Sequence, residues 1–499
     1  MNPFDLPDNI TDETTLANAA KHLGKANVIL PRFSELADPR AISTDILRQI
    51  NGVDPGVAHA KNLFRLHWYN DSQQKGLADV PGHLVLDQSL TGVAAPIVVM
   101  LGARFPMIGA HKVLAAYACL VTRLISGQFN PEHSRAIWPS TGNYCRGGIA
   151  ISRILDCRGT AVLPAGMSRE RFEWLENWVL NQEDIIRTPG SESNVKEIYD
   201  KCAELSTDPA NVILNQFSEF ANYLAHRHCT GPAVENVFDH LKKDNARLSM
   251  AAFVAGTGSG GTLAAGDYLK EHCGARVVAV EPTACPTMLY NGFGEHNIQG
   301  IGDKHIPLIQ NVMNTDIVAA VSDTSCDHLS VLFNSTAGQE YLSSRRGIDA
   351  TLVKSLQNLG LSGIANVLAA IKTAKLLDLP ADKAVMTIAT DSGGLYASER
   401  QATESSAYAN GFDQVSAAEV YSQHMLGAET DHLLELNHRD RNRVFNLGYY
   451  TWVEQQGVAS EDFESRRDQS FWNGLQKYLP IWDEMIDEFN LRTGVDRSK

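Results

Sequence analysis

Lys112 opens the stretch "KVLAAYACL", where Val113, Leu114, Ala115, Ala116, Ala118, Cys119 and Leu120 make a helix that is apolar almost all round. A helix of that kind is buried. A lysine at its entrance either snorkels to solvent or sits in a pocket, where desolvation lowers its pKa and frees an amine able to form a Schiff base with an aldehyde. In "WPSTGNYCRGG", Ser140, Thr141, Gly142 and Asn143 follow an apolar run and precede a helix. Hydroxyls, backbone N–H groups and an amide placed there suit an α-carboxylate or a ring oxygen, and an ordinary strand-to-helix turn capped by Ser and Thr has the same spelling. "VAGTGSGGTLAAG" (254–266) is a loop built to hold a phosphate, because glycines let backbone N–H groups approach an anion at a helix start. Gly256, Gly258 and Gly261 also match a dinucleotide fingerprint formally, with Glu281, twenty residues past Gly261, as its ribose-binding acid. Ser362 and Gly363, in "NLGLSGIANVL", place a hydroxyl at a further helix start that also reads as a plain N-cap.

The elements that must carry these residues form an alternating pattern. "AAPIVVML" precedes the lysine helix, "AIWPS" precedes "GGIAISRIL", and "TAVLP" precedes "SRERFEWLENW". "AAFVAG" leads into "TLAAGDYLKEH" and "RVVAVEP", and "IANVLAAIKTAKLL" is followed by "AVMTIAT". Strands alternating with helices predict a largely parallel sheet wrapped by helices, an α/β fold, over residues 86–400. Residues 1–85 are polar with short helical patterns. Residues 401–499 turn aromatic and charged and read as helical, their aromatics (Tyr449, Tyr450, Trp452, Trp472, Trp482) serving either their own core or an interface. Breaks are expected at "TPGSESN" (188–194) and "ERQATESSAYANG" (399–411).

Composition narrows the function. The 499 residues are 44% hydrophobic and 20% charged, with a net charge of −15 and no basic run, which argues against a nucleic-acid partner. The most apolar stretch is interrupted by Arg104 and Pro106, so buried core is expected rather than a membrane span. The start is acidic and proline-broken, unlike a signal peptide, and eight scattered cysteines without a CxxC pair suit reduced thiols in a cytoplasmic protein. No metal-ligand spacing is present.

In their combination and order, the four stretches resemble the fold type II family of pyridoxal-phosphate (PLP) enzymes, and within it the cysteine synthase (O-acetylserine sulfhydrylase) group, over roughly residues 86–400. "LNQFSEFANYLAHRHCTGPAVENVF", with Gln216, Asn222 and Thr230-Gly231-Pro232, is similar to a segment of that group, as are "HNIQGIGDKHIP" (296–307) and "ATDSGGLY" (389–396). The resemblance implies a tryptophan synthase β-like architecture: two αβα lobes around parallel sheets, with mostly helical extra segments at both ends. It implies that Lys112 forms the internal aldimine with PLP and then removes the Cα proton. Asn143 would bond the ring's 3′ oxygen, while Ser140, Thr141 and Gly142, assisted by Gln216, would hold the substrate carboxylate. Gly256 and the run Thr257, Gly258, Ser259, Gly260, Gly261 and Thr262 would cradle the phosphate, and Ser362 would face the pyridine nitrogen. A homodimer acting on a small amino acid is the implied assembly.

The pattern departs from the group in places. Gly109-Ala110-His111-Lys112-Val113-Leu114 replaces the usual Gly-Ser-Val-Lys-Asp-Arg and looks like the tryptophan synthase β chain, which implies a place for His111 near the cofactor phosphate. Tyr144 stands in the substrate pocket where cysteine synthases usually have threonine. The expected chemistry is β-elimination or β-replacement on a serine- or cysteine-like amino acid through an aminoacrylate. The alternatives are a PLP lyase of the cysteine desulfhydrase or serine dehydratase type releasing pyruvate and ammonia, a NAD-dependent oxidoreductase using the formal fingerprint, and a non-catalytic protein that kept the fold.

Overall fold

The computed structural model describes residues 3–496. Among them run eleven strands: β1 (His83–Leu86), β2 (Ile97–Leu101), β3 (Arg135–Pro139), β4 (Arg158–Pro164), β5 (Ile185–Thr188), β6 (Asn211–Ile213), β7 (Ser249–Gly256), β8 (Arg276–Pro282), β9 (Ile317–Val321), β10 (Lys383–Ala389) and β11 (Leu433–Glu435). They form two sheets. The larger has the order β1-β2-β10-β7-β8-β9-β11, parallel except for the antiparallel edge strands β1 and β11. The smaller, β5-β4-β3-β6, is parallel throughout. Strands covered by helices on both faces need apolar residues at every position rather than at alternate ones. β2 and β9 meet that demand with "IVVML" and "IVAAV", buried at all positions. The expected α/β architecture with two lobes is what the chain adopts.

The helix that starts at Lys112 runs to Ile125, and all fourteen of its residues are buried. Each large aliphatic side chain taken out of water there contributes roughly 1.5–3 kcal/mol, so the apolar run is what pulls Lys112 inside with it. Helix Asn143–Ile154 packs beside it and follows β3 directly.

The flanking segments pack onto the lobes. Helix Glu13–Lys25 turns Leu16, Ala19, Ala20 and Leu23 inward and lies against the closing helix Tyr478–Thr493, and both touch the Lys112–Ile125 helix. The tail is helical apart from β11, which pairs with β9. The two stretches read as breaks are structured: 399–411 lies mostly in an exposed helix, Ala397–Ala407, and 188–194 runs from the end of β5 into a loop whose Glu192 and Ser193 are buried. All eight cysteines are free thiols. Among the described residues no helix is long and apolar enough to cross a membrane.

Candidate active site

The four stretches singled out by their chemistry converge at the carboxyl ends of parallel strands from both sheets, where open α/β folds place their ligands. Lys112 heads its helix, the 140–143 turn follows β3, the glycine loop follows β7, and Ser362 lies in the first turn of helix Leu361–Leu376. Two adjoining cavities open there, and Lys112 lines both. The first is walled by Gly256, Gly258, Ser259, Gly260, Thr262 and Ser362. The second is walled by Ser140, Thr141, Asn143, Tyr144 and Gln216, with Phe217 and Asp303.

Lys112 Nζ donates to Ser259 Oγ at 3.0 Å and to Gln216 Oε1 at 3.4 Å. Both partners are neutral. Burial therefore dominates and brings the amine down to about 8, although Asp303 and Glu192 pull the other way. His111 is buried and lines neither cavity. Its Nε2 pairs with Thr262 Oγ1 at 3.0 Å, and burial, reinforced by Lys112, lowers it to about 3, so the ring is neutral and works by hydrogen bonding alone.

The glycine loop is tight. A Cβ on Gly258 would stand 2.4 Å from the Gly300 carbonyl oxygen, closer than carbon and oxygen can approach. Asn222 props the loop from below, donating to Ser259 Oγ at 3.1 Å and to the Gln216 carbonyl at 3.0 Å. Gly261 rests on the Asn222 amide rather than lining a cavity, and the Thr257 N–H is used by the Val280 carbonyl. The N–H groups of Gly258, Ser259 and Gly260 have no hydrogen-bond partner among the described residues, and the buried hydroxyl of Thr257 has none either.

On the other side, the Gly142 N–H donates to Ser140 Oγ at 3.1 Å. Gly142 itself has φ +153°, and its Cα is pressed so closely on Arg171 that a Cβ would lie 2.6 Å from Nε. Thr141 Oγ1 donates to the carboxylate of Glu192. Asn143 is engaged at both ends of its amide: Nδ2 donates to Asp391 Oδ2 at 2.6 Å, and Oδ1 accepts from Arg146 at 2.9 Å. Tyr144 turns its hydroxyl into the protein, where it donates to the Leu214 carbonyl at 3.1 Å. The phenol therefore shapes the pocket wall without offering it a free hydroxyl.

Sequence reasoning missed four charged residues here. Arg171, fully buried, donates to Tyr396 at 2.9 Å and to Gln299, and stands 3.8 Å from Asp391, which also accepts from Tyr396 at 2.8 Å. Glu192 and Asp303 are buried on the substrate side. Burial raises Glu192 to about 7 against the pull of Arg171, and burial with the Glu192 charge pushes Asp303 well above the carboxylate range against Lys112. Asp391 and Asp303 lie inside the segments "ATDSGGLY" and "HNIQGIGDKHIP", so position could have flagged them. Glu192 sits in a polar Ser-Glu-Ser run that spells a linker, and nothing local marks it.

The sequence profile of the family described as "Pyridoxal-phosphate dependent enzyme" matches residues 92–391. The chain belongs to this family. A cysteine synthase of Staphylococcus aureus (strain N315) is 30% identical over 295 residues, spanning 58% of this chain and 84% of that enzyme. A probable cysteine synthase of Bacillus subtilis (strain 168) is 30% identical over 298 residues, 58% of this chain and 85% of its own length. The fold is shared with the O-acetylserine dependent cystathionine β-synthase from Helicobacter pylori (TM-score 0.51, 24% identity, 64% of this chain and 94% of that one). It is shared also with a hydrogen sulfide-producing enzyme from Fusobacterium nucleatum (TM-score 0.51, 24% identity, 63% and 96%).

The residues present fit pyridoxal phosphate. Free backbone N–H groups at Gly258, Ser259 and Gly260 with the unpartnered Thr257 hydroxyl suit a phosphate, a buried amine near its deprotonation point suits an aldehyde, and Ser362 and Asn366 line the same cavity, the Asn366 Oδ1 unpartnered. A dinucleotide is not supported by Glu281. Its carboxylate accepts from the Met288 and Leu289 N–H groups at 2.9 and 2.8 Å and caps a short helix, where burial raises it to about 7.

Proposed function

We propose that this PLP enzyme removes or exchanges the β-substituent of a serine- or cysteine-like amino acid, in the manner of its cysteine synthase relatives. The observation that carries this is Lys112: a buried amine near pKa 8 on the wall between a phosphate-suited glycine loop and a pocket lined with small hydroxyls. When bound, PLP supplies the electron sink that lets bonds at Cα and Cβ of an amino acid break. Lys112 Nζ anchors the cofactor and, once released, takes the proton from Cα. The loop from Gly256 to Thr262 holds the phosphate, with His111 fixing the Thr262 hydroxyl. Ser140, Thr141 and Gly142 bind the α-carboxylate, with the Thr141 and Asn143 N–H groups left free for it because those of Ser140 and Gly142 are already used, and Gln216 steadies the Lys112 amine from that side. Asn143, its amide oriented by Asp391 and Arg146, would hold the ring oxygen of the cofactor through its remaining N–H. Ser362, which lines the same cavity, would offer the ring nitrogen a neutral hydroxyl, which would favour elimination over transamination. We place the catalytic core at 86–400, with extensions at 1–85 and 401–499, in a cytoplasmic homodimer.

The test is a product assay. Purified protein with PLP is given O-acetylserine, serine or cysteine, with and without sulfide, and pyruvate and cysteine are measured. Cysteine formed only with sulfide supports replacement, pyruvate formed without it supports the lyase form, and neither product from any of the three contradicts the proposal.

A further inference from the structure

Asp303 follows Gly300-Ile301-Gly302 and reaches the substrate-side cavity, which also holds Lys112, Thr141 and Gln216, but it does not line the phosphate-side one. It is 6% exposed, and its carboxyl group has no hydrogen-bond partner among the described residues. A buried carboxyl left unpaired costs several kcal/mol if ionised, so an arrangement that keeps one facing a reaction cavity calls for a use. The charged and titratable groups that act on it or feel it are Glu192, Lys112, Tyr199 and Cys285. Of these only Lys112 is basic, and its hydrogen bonds go to Ser259 and Gln216 instead.

We propose that Asp303 donates the proton required by the departing β-substituent, which makes this a pocket for amino acids carrying a free hydroxyl or thiol on Cβ. The proposal rests on the β-elimination reading above. A base at Cα and an acid toward Cβ are the two groups such a reaction needs, and here Lys112 and Asp303 stand on the walls of one cavity. The Cβ–O or Cβ–S bond breaks with both electrons passing to the heteroatom. The Asp303 O–H proton goes to that atom, releasing water or hydrogen sulfide and leaving a carboxylate. The Cα proton, now on Lys112 Nζ, restores the acid, so protons balance and nothing is oxidised or reduced. An O-acyl group leaves as a stable carboxylate and has no need of the acid, which is why the substituent class follows from this residue. Burial, with the Glu192 charge, pushes the Asp303 carboxyl well above its usual range against the pull of Lys112, which is the direction a proton donor needs.

The experiment compares wild type, Asp303→Asn and Asp303→Glu, each loaded with PLP, on serine, cysteine and O-acetylserine. The amide keeps size and polarity but has no acidic proton. Asp303→Asn is expected to lower kcat/KM for serine and cysteine by about 100-fold or more while O-acetylserine stays within a few-fold, and Asp303→Glu to recover part of the loss. Equal losses on all three substrates, or a wild type that uses O-acetylserine and neither free amino acid, would overturn the proposal and leave the broader reading intact. A wild type inert toward all three would remove that reading itself. A second readout needs no cofactor: the infrared difference between wild type and Asp303→Asn at pH 7 is expected to show one protonated carboxyl lost, and its absence would also overturn the assignment.

Discussion

Lys112 is withdrawn from water without gaining a carboxylate at hydrogen-bonding distance, and its amine titrates near pH 8 instead of 10.5. The unfolded chain therefore binds more protons than the native one between those values, and the cofactor-free protein gains stability as pH rises through that window. Replacing the amine by the similar apolar chain of Lys112→Met is expected to raise stability at pH 7 by up to about 3 kcal/mol, the gain fading toward pH 10.5. Denaturant unfolding of the cofactor-free proteins at the two pH values checks the sign. The neighbouring His111 carries a different expectation. Held neutral, it contributes one hydrogen bond to Thr262, so His111→Asn should weaken PLP binding by about threefold to tenfold, equally at pH 5.5 and pH 8. A deficit confined to low pH in a PLP titration would mean that the ring is charged.

The glycine loop works as an element, because its shape is set by what lies behind it. Gly258→Ala forces a methyl against the Gly300 carbonyl at 2.4 Å, and one of the two loops must move. Cofactor affinity is expected to fall at least about tenfold and the cofactor-free melting temperature to fall as well, because the clash is with backbone, measured by PLP titration and calorimetry. The long apolar runs of β2, β7, β8 and β10, and the helices after them, were legible from sequence because parallel strands buried on both faces leave a continuous apolar signature. β5 and β6, four and three residues long, and the edge strand β11 carry no such signature and owe their strand state to their neighbours. The site followed the same division. Lys112, the glycine loop and the 140–143 turn announce themselves by local chemistry, and Asp303 lies in a segment already singled out, whereas Glu192 and Arg171 acquire meaning only when distant segments fold together.

Across the whole molecule, the two ends of the chain close over the lysine helix. The Leu30 N–H donates to Asn490 Oδ1 at 2.8 Å, and Asn490 Nδ2 returns a bond to the Leu30 carbonyl at 2.9 Å. Trp482 donates to the Pro7 carbonyl at 2.8 Å, and Tyr117, on the lysine helix, donates to the Pro31 carbonyl at 2.5 Å. These contacts lie away from the cavities, so Asn490→Ala should cost about 1–3 kcal/mol by leaving a buried backbone pair unsatisfied, with kcat unchanged at a temperature where the protein stays folded. A loss of kcat without a fall in melting temperature would show that the clasp reaches the chemistry. The central claim, that Lys112 is the residue joined to PLP, is tested most directly by reducing the PLP-loaded protein with borohydride and mapping its peptides by mass. The account predicts the pyridoxyl mass on Lys112, lost in Lys112→Ala; the mass on another lysine, or undiminished labelling of the variant, would contradict it.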